Sequence, residues 1–380
     1  MKNKIIKNMK DLEKVLGEGD APISETPPYF AECDNYHNVS IVTGAPDTFD
    51  FDFRKEPDNP WNEHTEKVVA EFNTKEKLRN GVSRELNELQ QQFANSGFEQ
   101  FYFLPANVSG LISWIFLNNA MAAGFNSKGR PMLYFGKMKN TVRVPEPGLV
   151  EYLLATHPAK LIGDSNTEHG FEIGHAKTYT MEGKGDQLPM SLPIMAEGIL
   201  VEGKQSKNRF YHIVINCSGR RTDTKALPEY TDFSGNYVIE IPLSDHEKTG
   251  AYHGNVAVLY YNNKDGERGV VYVPMMLHED HRSFVYEMFK TFFGERNVHT
   301  ITDKDEKLFD EALNNLSMNS ISTGEGRMIV SANNPWTNCY LEHIVGVDLL
   351  KVDMKAIALG GGGLQCCYTA LNKNPLKIVK

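Results

Sequence analysis

Two or three strand-like runs and then one helix, repeated several times, is the pattern that most limits how this chain of 380 residues can fold. Runs over 112–123 and 131–135 precede a short helix over 147–154. Runs over 172–180 and 209–217 precede a helix near 224–230. Runs over 238–243, 255–261 and 269–273 precede a helix over 281–293. Runs near 315–321 and 327–331 precede a helix over 337–344, and 349–353 reads as the final strand. Ahead of these lie a first strand within 38–46, a long polar helix over about 63–96 and a strand over 99–104. Leu78, Leu86, Leu89 and Phe93 fall on one face of that helix. Such repetition predicts an α+β protein built from similar units. Residues 1–37 read as an appended N-terminal arm, 38–380 as one domain, and 182–208, rich in Gly, Lys and Pro, as an inserted loop.

Bulk chemistry narrows the function. A net charge of −9 argues against a nucleic-acid partner held through phosphates, though not against a small anionic substrate. The apolar run at 111–117 is broken by Ser113 and far too short to span a bilayer, and the opening residues lack the apolar stretch of a secretion signal. The five cysteines are odd in number, scattered, and include no C-x-x-C, so a zinc site has no support. These features read as a cytoplasmic protein with reduced thiols. The assembly is left open, with a homodimer as one option.

Four consecutive glycines, Gly360 to Gly363, stand just before Cys366 and Cys367. Such a run lets backbone pass close to a neighbour and can deliver a thiol into the open. Two buried, inert cysteines on a loop remain the alternative. A thiol nucleophile needs a proton-exchanging histidine and a carboxylate to hold it. His253 sits where a glycine turn enters an apolar strand; it could equally be a turn histidine with no partner. Glu172 lies between apolar neighbours in a strand, facing either inward or solvent. Arg221 follows a buried-looking strand and could bind a carboxylate, or it could lie exposed at a helix start capped by Thr222 or Asp223.

Together, Tyr252-His253-x-Asn255-Val256, Arg221-Thr222-Asp223 and Gly361-Gly362-Gly363-x-x-Cys366 resemble the guanidine-modifying, or pentein, superfamily. That superfamily includes arginine deiminases, dimethylarginine hydrolases and amidinotransferases. The pattern is similar to the amidinotransferase-like branch with citrulline-utilisation hydrolases, and the Cys366-Cys367 pair before Leu371-Asn372-Lys373 is similar to the end of dimethylarginine hydrolases. Asn118-Asn119 after Phe116, and Arg143 before Pro145-Glu146, match that branch's early motifs, so the resemblance covers about 40–373.

The resemblance implies a five-bladed α/β propeller of ββαβ units with the site on its axis. It implies Cys366 as nucleophile, His253 as general acid/base and Glu172 as the carboxylate near the histidine. Arg221, Asn255, Asn119 and Arg143 would bind substrate, and no metal or organic cofactor would be needed. The expected activity is hydrolysis of a C–N bond in a guanidino or ureido compound through a covalent cysteine intermediate. An amidinotransferase with the same nucleophile, or a binding protein on the same scaffold, are the alternatives. The chain departs from arginine deiminases by Asn255, Ser113 and His175 at positions where they carry aspartates. The neutral Asn255 favours a ureido group over a guanidinium.

Overall fold

The structure is a computed structural model that describes residues 4–28, 39–49, 71–105, 111, 113–163, 170–195, 205–246 and 250–379. Five of its sheets share one three-strand pattern. In each, a first strand pairs antiparallel with a middle strand, and the middle strand pairs parallel with a third. The five sets are Thr369–Asn372, Val39–Gly44 and Gln100–Leu104; Met121–Phe125, Pro131–Phe135 and Glu172–His175; Gln187–Leu188, Ile213–Ser218 and Tyr237–Pro242; Val258–Asn262, Arg268–Tyr272 and Val298–Thr300; and Ile321–Gly324, Arg327–Ser331 and Asp348–Val352.

Parallel neighbours cannot be joined by a tight turn, and here the crossover carries a helix each time. The five helices are Lys75–Asn95, Glu146–Thr156, Leu227–Ser234, Arg282–Phe293 and Pro335–Tyr340. Middle strands such as Ile213–Ser218 are buried along their whole length, polar Asn216 and Ser218 included. The helix Lys75–Asn95 starts at Thr74, whose hydroxyl accepts the Lys77 N–H at 3.2 Å. Its Leu78, Val82, Leu86, Leu89 and Phe93 are buried, and each such side chain contributes roughly 1.5–3 kcal/mol. The sequence expectation for this helix began near residue 63; residues 63–70 lie outside the described residues.

The repeat is therefore more regular than the periodicity alone conveyed. The last strand of the pattern is Thr369–Asn372, not 349–353, and it closes onto Val39–Gly44. The run 315–320 is turn rather than strand, and a helix at Glu306–Asn314 was not foreseen. The described part of the arm joins the sheets. Ile5–Ile6 pairs parallel with Tyr237–Pro242, Ile23–Ser24 pairs with Gln205–Tyr211 and Ile378–Val379, and Lys7 reaches Glu240 at 3.0 Å. Residues 29–38 and 196–204 lie outside the described residues. The start of the expected inserted loop is core: Glu182 through Asp186 are buried. No helix among the described residues is long and apolar enough to cross a membrane.

Candidate active site

Each first strand of the five sheets is preceded by a tight turn that carries a buried polar residue. Leu117–Asn119 precedes Met121–Phe125. Gly183–Asp186, with Glu182 just before it, precedes Gln187–Leu188. His253 and Gly254–Val256 precede Val258–Asn262. Asn319 precedes Ile321–Gly324, and Gln365–Cys367 precedes Thr369–Asn372.

These turns touch one another in a closed series. Asn118 Nδ2 donates to the Gln365 carbonyl at 2.6 Å. Cys366 Sγ lies 3.6 Å from Asn319 Oδ1. Asn319 Nδ2 donates to the Asn255 carbonyl at 3.2 Å. The Gly254 N–H donates to Asp186 Oδ1 at 3.1 Å. At Gly185 a side chain would fall 2.7 Å from both Asn119 Oδ1 and His253 Nδ1, so only glycine lets these turns meet.

His253 is fully buried, and its Nε2 is 3.0 Å from Glu182 Oε2. A neutral histidine donating from Nε2 leaves Nδ1 as a proton acceptor. Nδ1 is buried and has no hydrogen-bond partner among the described residues. Glu182 is itself buried. Burial alone would raise its pKa, but the hydrogen bond to His253 and the charges of Arg221 and Arg143 prevail, and it falls to about 2. It also accepts the Lys139 N–H at 3.0 Å and faces Arg221 Nη1 at 3.5 Å. The Arg221 guanidinium lies 5.7 Å from the centre of the Tyr252 ring, and its Nε is buried with no hydrogen-bond partner among the described residues.

A second buried carboxylate, Asp186, spans the Gly254 N–H and the Thr222 hydroxyl, the latter at 2.6 Å. Burial, only partly offset by these bonds and by His253, raises its pKa to about 6. It fixes the backbone beside His253.

Cys366 is buried, and burial pushes its thiol up, opposed by nearby donors and by the charge of Arg143. Its sulfur has the Asn255 amide nitrogen at 3.9 Å on one side and the Asn319 amide oxygen at 3.6 Å on another. The Cys367 thiol donates to the Gly363 carbonyl at 3.3 Å instead. The pair lies on a 3₁₀ turn, Gln365–Cys367, where neighbouring side chains point in different directions. Tyr252 ties the two halves of the site together by donating from its hydroxyl to the Gly361 carbonyl.

Of the residues singled out from sequence, Cys366, His253, Asn255, Asn119 and Arg221 lie on or against this ring of turns. Arg143 is buried beside it, its Nε and Nη2 on Glu146 at 2.7–3.0 Å and Nη2 also on the Phe116 carbonyl at 3.0 Å. Glu172 does not partner His253. It lies on the third strand of its sheet, half-buried, with Arg130 at 2.9 Å and Asn126 at 2.6 Å. Third strands lie away from the turns that meet, so the carboxylate on the histidine is Glu182. His175 likewise pairs with Glu151 at an exposed position, and Asp186 is the acid that follows the site glutamate. Glu182-Gly183-Lys184-Gly185-Asp186, two acids interleaved with glycines before an apolar strand, was the available signal. Asn319 had none. Among the described residues no cluster of His, Cys, Asp and Glu could hold a metal ion.

No protein-family model matches the chain, and no curated protein matches it by sequence. Solved structures do. The N-terminal domain of ArgZ, an arginine dihydrolase from the ornithine–ammonia cycle in cyanobacteria, bound to product, aligns with a TM-score of 0.61 at 14% identity, over 88% of this chain and 97% of that one. AgrE in its ternary complex with ornithine and NAD+ aligns with a TM-score of 0.60 at 14% identity, over 88% of this chain and 39% of that one. Dimethylarginine dimethylaminohydrolase, as an adduct with S-methyl-L-thiocitrulline, aligns with a TM-score of 0.53 at 12% identity, over 87% and 98%. The chain thus has the fold of the pentein superfamily, to which these hydrolases of guanidino compounds belong.

Proposed function

We propose that this protein is a cysteine hydrolase that cleaves a C–N bond in a guanidino or ureido compound. In this reading the five alike sheets are blades of a propeller spanning 38–380, residues 1–37 are an arm packed on it, and the ring of turns lies on its axis. The likeness to hydrolases of guanidino compounds supports the reaction class. The observation that carries the reading is the convergence on one buried ring of a thiol, Cys366, and a histidine held by a carboxylate, His253 on Glu182.

The steps follow from the groups present. The Cys366 proton passes to His253, and the sulfur attacks the central carbon of the substrate. The C–N bond breaks as His253 returns that proton to the departing amine. His253 then takes a proton from water, whose oxygen attacks the same carbon, and passes that proton to the sulfur as the C–S bond breaks. Glu182, ionised to about pH 2, stabilises the imidazolium in between. Arg221, whose Nε has no hydrogen-bond partner among the described residues, supplies positive charge for a substrate carboxylate, and Arg143, held by Glu146, flanks it.

The substrate group that suits the thiol's surroundings is neutral. The side-chain groups placed on the sulfur are the amides of Asn255 and Asn319. The two site carboxylates are engaged, Glu182 by His253 and Arg221, Asp186 by Gly254 and Thr222. An amide can donate and accept, which matches a ureido oxygen and nitrogen. The test is ammonia or amine release from citrulline and arginine, with turnover expected for the ureido compound. Absence of turnover with either, or with simple ureas and guanidines, would overturn the reading.

A further inference from the structure

Asn319 belongs to no motif that carries the resemblance, yet it makes more contacts with the thiol turn than any residue named so far. Its side chain is buried, and its Oδ1 accepts the Gln365 N–H at 2.8 Å and the Cys366 N–H at 3.4 Å, and lies 3.6 Å from Cys366 Sγ. Its Nδ2 donates to the Asn255 carbonyl at 3.2 Å. Only one orientation of the amide serves both ends, since the turn offers N–H groups and Asn255 offers a carbonyl. The next residue reinforces the attachment, because the Gln365 side-chain amide donates to the Ser320 carbonyl. Space is tight around the amide: a side chain at Gly363 would fall 2.6 Å from Oδ1. The last glycine of the run is thus explained by Asn319.

We propose that Asn319 is the positioning residue of the nucleophile. It pins the 3₁₀ turn and accepts the thiol proton's hydrogen bond, so that the sulfur rests facing the Asn255 amide nitrogen. This rests on the reading of Cys366 as nucleophile. The thiol lies between an acceptor, Asn319 Oδ1, and a donor, Asn255 Nδ2. Loss of its proton breaks the first contact and strengthens the second, because a carbonyl oxygen has nothing to donate to a thiolate. Asn319 thereby sets both where the sulfur points and which protonation state it rests in. Among the described residues, the charged or titratable groups that bear on the thiol are Arg143 and Cys367, the latter with Glu85 behind it.

The experiment follows alkylation of Cys366 by iodoacetamide against pH, mapped by mass spectrometry, alongside kcat and KM. Asn319→Asp keeps the acceptor atoms for the two N–H groups but sets a carboxyl beside the sulfur. Alkylation at pH 8 should slow at least tenfold, with its midpoint moved up by a unit or more. Asn319→Ala should lower kcat at least tenfold with KM changed less than threefold. Gly363→Ala leaves residue 319 an asparagine but presses on its amide, and should act in the same direction as Asn319→Ala. Folded variants with the wild-type alkylation profile and kcat would overturn the proposal. Failure of all three to fold would assign the amide to stability alone and overturn it too. Alkylation needs no turnover, so an active Cys366→Ser protein would remove the proposed function while this comparison still read the role of Asn319.

Discussion

Glu182 Oε2 sits 3.0 Å from His253 Nε2, both side chains buried, although 71 residues separate them in the chain. Glu172, ten residues before Glu182, makes its ion pair with Arg130 instead. The two glutamates therefore separate by experiment. Glu182→Gln removes the charge that stabilises a protonated His253 and should lower kcat by about 10²–10⁴-fold, the scale of general acid–base catalysis. Glu172→Gln should leave kcat within twofold and cost at most about 1 kcal/mol of stability, as a half-exposed pair does. Steady-state kinetics and chemical denaturation of both variants check this; equal losses of activity would contradict the assignment.

Stability against pH carries the mark of a different carboxylate. Glu85 is buried on the helix Lys75–Asn95 and accepts the N–H groups of Ala356 and Ile357, each at 2.8 Å, below the glycine loop that leads to Cys366. Burial outweighs those bonds and raises its pKa to about 8. A folded pKa above the ordinary value near 4.5 means that its stabilising effect is complete below that value and lost as pH rises through about 8. The melting temperature should fall as pH rises from about 6 to 8 and level off above that, and Glu85→Gln should flatten that slope. Glu182 acts with the opposite sign: its lowered pKa gives stability above about 4.5 that is lost as pH falls toward 2. A slope between pH 6 and 8 that survives in Glu85→Gln would contradict the account.

On the proposed reading, Asn255 beside the sulfur sets the preferred substrate charge. Asn255→Asp introduces a carboxylate able to make charge-assisted hydrogen bonds worth roughly 1.5–3 kcal/mol each to a guanidinium. The ratio of kcat/KM for citrulline over arginine should exceed one in the wild type and fall at least tenfold in the variant. A wild type that prefers arginine, with an unmoved ratio in the variant, would mean that another carboxylate holds the guanidinium. Asp164 and Glu168, outside the described residues, would then be the first to test.

The strand and helix repeat was legible because long apolar runs and the Leu78–Leu86–Leu89–Phe93 face report burial locally. His253, Asn255 and Cys366 were legible because glycines mark where their turns must pass close to neighbours. What sequence could not show was which strand of each sheet follows a turn of the ring. Glu172 and Glu182 look alike in sequence; one precedes a first strand and meets His253, the other lies on a third strand and meets Arg130. Asn319 was invisible for the same reason, since its partners Asn255 and Gln365 come from other units. The arm residues Ile5–Ile6 and Ile23–Ser24 join sheets through two-residue strands too short to give a period.

The central claim is that Cys366 bonds covalently to the substrate. The direct measurement is rapid acid quench during turnover, followed by mass spectrometry of the peptide that carries Cys366 and Cys367. The account predicts substrate-derived mass on Cys366 alone, loss of turnover and of the adduct in Cys366→Ser, and turnover retained in Cys367→Ser, whose thiol is occupied by the Gly363 carbonyl. An adduct on Cys367, or normal turnover by Cys366→Ser, would contradict it.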